Sequence, residues 1–183
     1  TIQDTALNKK IIEDYISKGY WTDETILDYL DKAVNYYPNK IAFVDRKYRV
    51  TYRMLDEIST RIAAGFLKNG IKKGDVISLQ LPNWIEFVFS HLAAEKIGAV
   101  TNPIIPYYRH KELIYELNLT KCVALIIPDE FRSFNYAEMA RDVKPEVESL
   151  SHIFVVGNDV PEDMISFDKF INTEWEKEYT PLL

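Results

Sequence analysis

The sequence predicts an α/β protein: an open, mostly parallel sheet with helices on both faces, preceded by two helices and a β-hairpin. Three observations carry this expectation. Short apolar runs begin near residues 76, 99, 123 and 153, and spacings of 23, 24 and 30 residues, each holding one helix, suit βαβ crossovers. The runs are continuous rather than alternating, as in strands covered on both faces. The chain has 183 residues, 47% hydrophobic and 27% charged, which fits one large domain, or a domain with an extension, able to build a core.

At the N-terminus, Leu7, Ile11, Ile12, Tyr15 and Ile16 recur at helical spacing, and Gly19 is placed to end that helix. A second stripe, Ile26, Leu27, Leu30, Ala33, Val34 and Tyr37, stops at Pro38-Asn39. The rings of Tyr20 and Trp21 fall on the connection and are expected to seal the join between helix and body. Residues 41–52 read as a hairpin, Ile41 to Val44 and Val50 to Tyr52, whose turn Asp45-Arg46-Lys47-Tyr48 lacks the usual glycine.

A helix from about Arg53 to Lys68 presents Leu55, Ile58, Ile62, Ala63 and Phe66 on one face, and Asn69-Gly70 stops it. Val76 to Gln80 is a strand. Asn83-Trp84-Ile85-Glu86 has the spacing of a capping box, with the Asn83 side chain expected on the Glu86 amide, opening a helix to about Lys96. Gly98 ends that helix before the strand Ala99 to Thr101. A helix from Glu112 to about Leu119, a strand from Val123 to Ile127, a helix from Asn135 to Val143 and a strand from Ile153 to Val156 follow, closed by Gly157. Asn158 to Leu183 is acidic and carries one short apolar stripe (Ile165, Phe167, Phe170, Ile171), read as a helical turn or two before a linker. The organisation is a helical lead-in over 1–38, an α/β unit over 39–157 and a linker segment over 158–183.

Charge and composition narrow the function. Twenty-two basic against 28 acidic residues give a net charge of −6, which repels phosphate backbones and anionic membranes, and no basic run exceeds two residues. No nucleic-acid partner is expected. The single cysteine, Cys122, excludes an internal disulfide or thiolate cluster and fits a reducing cytoplasmic setting. His91, His110 and His152 lack metal-ligand spacing. No apolar run approaches the roughly 20 residues that span a bilayer, and Asn8-Lys9-Lys10 and Asp14 interrupt the stretch where a signal peptide would sit.

The six glycines are isolated, so no strand-to-helix turn carries a dinucleotide or phosphate fingerprint. Pro82, in the loop after the first parallel strand, removes a backbone donor that a phosphate would need. Asn118-Leu119-Thr120 matches a glycosylation acceptor by chance, and Cys122 reads as an inert buried thiol. Tyr107 to Lys111 mixes rings with cations; it reads as a loop leading into the next helix, the alternative being the border of a cleft for an anionic group. No catalytic, cofactor-binding or metal-ligating residue is assigned within the chain.

The residues also carry a family resemblance. Val50-Thr51-Tyr52-Arg53-Met54-Leu55-Asp56 resembles the first core motif of the AMP-forming adenylating enzymes, and Gly70-Ile71-Lys72-Lys73-Gly74-Asp75-Val76 resembles their helix-to-strand turn. Leu81-Pro82-Asn83 with Glu86-Phe87 follows in order, and Ala93 to Val100 with Asn102-Pro103 resembles the second core motif. Gly19-Tyr20-Trp21, Ile105 to Leu113 and Pro128 to Tyr136 resemble the branch of cyclohexanecarboxylate-type and short- to medium-chain acyl-CoA ligases and 2,3-dihydroxybenzoate–AMP ligases. Arg109-His110 departs from the Thr-Pro of many relatives.

The resemblance implies a parent ligase that joins a carboxylic acid to AMP from ATP with Mg2+ and then transfers the acyl group to CoA. The motifs that do this in the family, a Ser/Thr/Gly-rich phosphate loop with its Lys above all, do not occur between Thr1 and Leu183. The chain is therefore expected to be an N-terminal fragment, inactive alone, with a homo-dimer possible through surface bared by truncation. The alternatives are a non-catalytic binding or assembly module on the same scaffold, and a flavodoxin-like flavin or nucleotide binder.

Overall fold

The structure, a computed structural model, describes residues 9–45 and 48–179. Leu7, the turn residues Arg46-Lys47 and the last linker residues 180–183 lie outside the described residues.

Two helices lead in, α1 (Lys9–Ser17) and α2 (Ile26–Tyr36). A reciprocal cap opens α2: the Thr25 hydroxyl accepts the Asp28 N–H, and the Asp28 carboxylate accepts the Thr25 N–H at 2.6 Å. Strands β1 (Ile41–Val44) and β2 (Arg49–Thr51) pair antiparallel, giving the expected hairpin. Helix α3 (Tyr52–Lys68) follows directly, with the Thr51 hydroxyl accepting the Met54 N–H.

The regular part alternates β3 (Val76–Leu79), α4 (Ile85–Lys96), β4 (Val100–Pro103), α5 (His110–Thr120) and β5 (Ala124–Pro128). A two-residue hairpin, β6 (Glu130–Phe131) and β7 (Phe134–Asn135), precedes α6 (Tyr136–Val143), a single 3-10 turn at Lys144–Glu146 and β8 (His152–Val156). The chain then adds β9 (Ile165–Ser166), α7 (Phe167–Asn172) and α8 (Glu176–Tyr179). The five-stranded sheet runs β4-β3-β5-β8-β9 with every pairing parallel.

Each face of that sheet has its own core. On one, Ile62 and Phe66 of α3, Phe89 of α4 and Phe167 and Phe170 of α7 pack with Ile77, Leu79, Ile126 and Phe154. On the other, Leu113 and Leu117 of α5 and Tyr136 and Val143 of α6 pack with Leu125, Ile127 and Val155. All five residues of β5 are buried, which is why its apolar run is unbroken.

The structure differs from the expectations in four places. The helix after β3 begins at Ile85, one residue later than an Asn83 cap would start it, because Trp84 is extended (φ −101°, ψ 160°) and takes the cap position without a side-chain hydrogen bond. Asn83 does not cap it; Asp45 reaches across from the hairpin, its Oδ2 accepting the Ile85 N–H at 3.0 Å. Helix α5 starts two residues earlier than expected, at His110, where the Glu112 carboxylate turns back to accept the Arg109 N–H.

Tyr20 and Trp21 do not seal α1 to the body. They pack edge to face on Tyr15 of α1 itself, with ring centroids 5.9 and 5.8 Å away. The segment after Gly157 holds the expected helical turns as α7 and α8 but also a fifth strand, with Ile165 and Ser166 in register with Phe154 and Val155. It is part of the core: Phe167 and Phe170 are buried.

Candidate functional site

In a doubly wound sheet, ligands bind outside the carboxyl ends of the strands where the chain changes direction. The chain leaves β3 toward the α4 face and β5 toward the α6 face, so that point lies between β3 and β5.

Four loops meet there. After β3, the Gln80 N–H donates to Ile126 O at 2.9 Å, and its buried side-chain Nε2 donates to Ile105 O at 3.3 Å and Tyr108 O at 3.0 Å. This amide ties the loop after β4 to the end of β3, and its Oε1 accepts from no described group. Beside it, Val44, Asp45, Pro82, Asn83, Trp84 and Phe131 line a cleft of about 400 Å³. Trp84 and Phe131 form its aromatic wall, perpendicular with ring centroids 6.0 Å apart.

Phe131 is held in place by a tight turn. Arg132 and Ser133, both non-glycine, take left-handed backbone angles (φ 52° and 57°) between β6 and β7. The hairpin is followed at once by α6, capped by Asn135, which accepts the Glu138 N–H at 2.8 Å. Behind it, the Asp129 carboxylate accepts the backbone N–H groups of Glu130, Asn158 and Asp159 at 2.6, 2.8 and 3.1 Å. That fastens the end of β5 to the end of β8.

Two arginines near this rim are bonded within the fold. Arg109 lies with its guanidinium 3.8 Å from the Phe134 ring centre, and its Nη1 donates to Pro106 O at 2.8 Å and Tyr108 O at 2.9 Å. Arg132 stacks between Tyr107 and Phe131 and donates to the Tyr107 hydroxyl. His110 Nε2 stands 3.3 Å from Asp142 Oδ2. Tyr107 and Tyr108 thus lie on a braced loop that ends at Arg109, His110 and Lys111 already belong to α5, and Tyr136 reinforces the loop by donating its hydroxyl to Pro106 O at 2.6 Å.

The other candidates are structural as well. Cys122 is buried, its Sγ 3.0 Å from Ala124 O, and desolvation pushes its thiol pKa up, away from the reactive thiolate. Asn118 uses its Nδ2 to bridge Ile114 O and Glu146 O, both at 3.0 Å. Among the described residues, no three His, Cys, Asp or Glu side chains come together as a metal-binding group. Neither the Trp84–Phe131 cleft nor the Gln80 brace was singled out from the sequence; both depend on residues brought together from separate loops.

With this geometry in hand, the comparisons with known proteins are specific. The family model "AMP-binding enzyme" matches residues 30–181. The chain is 34% identical to the 2,3-dihydroxybenzoate-AMP ligase of Bacillus subtilis over 81% of this chain and 28% of that protein. It is 33% identical to the medium-chain fatty-acid–CoA ligase of Escherichia coli, over 80% of this chain and 26% of that protein. The apo structure of Mycobacterium smegmatis MbtA superposes with a TM-score of 0.82 at 29% identity, covering 92% of this chain and 31% of that one. The chain thus spans about 28% of the length of the first of these relatives. No helix among the described residues is long and apolar enough to cross a membrane. The fold, the motif order and the family match agree: the chain belongs to the AMP-binding enzyme family, whose curated relatives here are acyl-CoA and aryl-AMP ligases.

Proposed function

We propose that this chain is the N-terminal α/β part of an ATP-dependent, AMP-forming acid–CoA ligase and that it is inactive alone. The parent reaction has two steps. A carboxylate displaces pyrophosphate from ATP to give an acyl-adenylate, and the CoA thiol then displaces AMP. The working setting is the reducing cytoplasm, as the single cysteine implies.

The match over residues 30–181 supports the parent activity. The observation that carries the inactivity is the fate of the cations at the strand ends: Arg109 and Arg132 are stacked on rings and bonded internally. Adenylyl transfer needs preorganised donors, free cations and a metal at the developing charge. In this reading the described residues are not a complete site for ATP, Mg2+ or CoA. In this reading the chain is scaffold, and the Trp84–Phe131 wall is a surface against which the remainder of the enzyme is built.

The test is ATP–pyrophosphate exchange with a panel of carboxylic acids. The 183-residue chain is expected to give none, and the complete polypeptide that carries it is expected to exchange. Exchange by the 183-residue chain overturns the inactivity, and its absence from the complete polypeptide overturns the parent activity.

A further inference from the structure

The cleft beside the strand ends has a charge pattern of its own. Among the described residues that line it, Asp45 alone is charged. A neighbouring pocket of about 250 Å³ shares Asp45, Asn83 and Trp84 with it and adds the rings of Phe43 and Phe87, again without a basic residue.

The start of α4 opens on the same cleft, and a helix start by itself favours an anion. Here that preference is already met. Asp45 Oδ2 accepts the Ile85 N–H, and Glu86 adds a second acid in the first turn of α4. The balance of charge at the cleft is negative.

Its walls are aromatic. Trp84 and Phe131 stand perpendicular with ring centroids 6.0 Å apart, so two ring surfaces flank one carboxylate. Rings beside an acid take a cation, through the negative face of the ring and the charge together. The same rim already shows this chemistry twice. The guanidinium of Arg109 lies 3.8 Å from the Phe134 ring centre and that of Arg132 lies 5.3 Å from the Phe131 ring centre, yet neither arginine lines the cleft.

A guanidinium suits the cleft better than an ammonium. Its plane stacks on a ring while its fork of N–H groups can meet the Asp45 carboxylate and the Asn83 amide oxygen.

We propose that the rest of the polypeptide seats an arginine side chain in this cleft, stacked on the Trp84–Phe131 wall and bonded to Asp45. This rests on the reading that the remainder of the enzyme is built against that wall, and it names what the remainder presents there. One directional charged contact on a largely apolar face sets the register of the two parts.

The experiment titrates the 183-residue chain with ethylguanidinium chloride, following the Trp84 indole N–H by NMR. N-ethylurea serves as the uncharged probe of similar shape, and ionic strength is held constant. Ethylguanidinium is expected to shift the Trp84 signal saturably and to bind at least about tenfold more tightly than N-ethylurea. Asp45→Asn is expected to lose at least about tenfold of that affinity while keeping the helix cap, because asparagine caps as well as aspartate. Phe131→Leu removes one ring and is expected to weaken binding at least about twofold. The backbone amide spectrum checks that both variants remain folded.

An equal response to the two probes overturns the proposal, whether the cleft ignores charge or Arg46 or Lys47 of this chain already fills it. So does an Asp45→Asn chain that binds as tightly as wild type. A crystal structure of the complete polypeptide is expected to show the arginine against Trp84 and Asp45; another kind of side chain there, or open solvent, overturns the assignment. None of these readouts needs activity, so this proposal can fail while ATP–pyrophosphate exchange by the complete polypeptide stands, and the reverse.

Discussion

The ring of Phe170 stands where a side chain on Gly65 would be: a Cβ at Gly65 would lie 2.5 Å from Phe170 Cζ and 2.7 Å from Trp175 Cδ1. Gly65 sits inside α3, where glycine costs about 1 kcal/mol relative to alanine in an exposed helix. The close approach offsets that cost. Phe170 reaches Phe66 and Phe154, with ring centroids 5.8 and 4.9 Å away, and Trp175 Nε1 closes the contact by donating to Phe170 O at 2.9 Å.

Gly65→Ala is therefore expected to destabilise the chain by about 1–3 kcal/mol in spite of alanine's better helix propensity, since the ring has to move. Phe170→Ala is expected to cost about 3–5 kcal/mol. Urea unfolding checks both, and a Gly65→Ala chain as stable as wild type would show that α7 docks loosely.

Asp45, not Asn83, holds the start of α4. Asp45→Ala is expected to cost about 1 kcal/mol, the usual loss for a helix cap. Asn83→Ala is expected to stay within about 0.5 kcal/mol, as at an ordinary exposed position. Thermal unfolding of the two variants side by side reverses this assignment if Asn83→Ala proves the more damaging.

The Asp129 carboxylate occupies the place of a side chain on Gly157: a Cβ there would lie 2.1 Å from Asp129 Cγ, and the Gly157 φ is +138°. Gly157→Ala is expected to displace the carboxylate from the N–H groups of Asn158 and Asp159 and to lower stability by about 1.5–3 kcal/mol, the range for hydrogen bonds to a charged acceptor. Amide hydrogen exchange at residues 158 and 159 should rise in Gly157→Ala and in Asp129→Ala alike. Unchanged protection in either variant would contradict the contact.

His152 gives the fold a pH dependence of definite sign. Its half-burial lowers its pKa and Lys144 adds to that, against a backbone hydrogen bond at Asn69 that raises it. The unfolded chain therefore binds this proton first on acidification, near the ordinary histidine value of about 6.5. Stability is expected to be flat in this respect above that pH and to fall as pH drops from there toward the lower folded value. His152→Gln should flatten that decline, measured as the urea midpoint against pH; an identical slope in the variant refutes it. Asp163, held below the usual carboxylate range first by its hydrogen bond to Arg141, acts at lower pH: its contribution disappears as pH falls through its depressed folded value.

The sequence by itself determined the layered fold. Apolar runs at 76, 123 and 153 are legible because strands buried on both faces need no polar alternation, and helix stops such as Asn69-Gly70 are local signals. The motif order along one stretch likewise identified the family without any contact being known. Tertiary structure alone decided what closes across distance. Asp45 caps a helix 40 residues away, Gly65 admits Phe170, and Ile165-Ser166 becomes a strand only because β8 offers it an open edge. The rim at the strand ends was illegible for the same reason. Gln80 and Phe131 are ordinary residues in sequence, and their partners lie on other loops. Local propensity acts over a few residues and can be read in order, whereas a cap, a close packing or a cleft wall exists only once separate segments have been brought together by burial of the core.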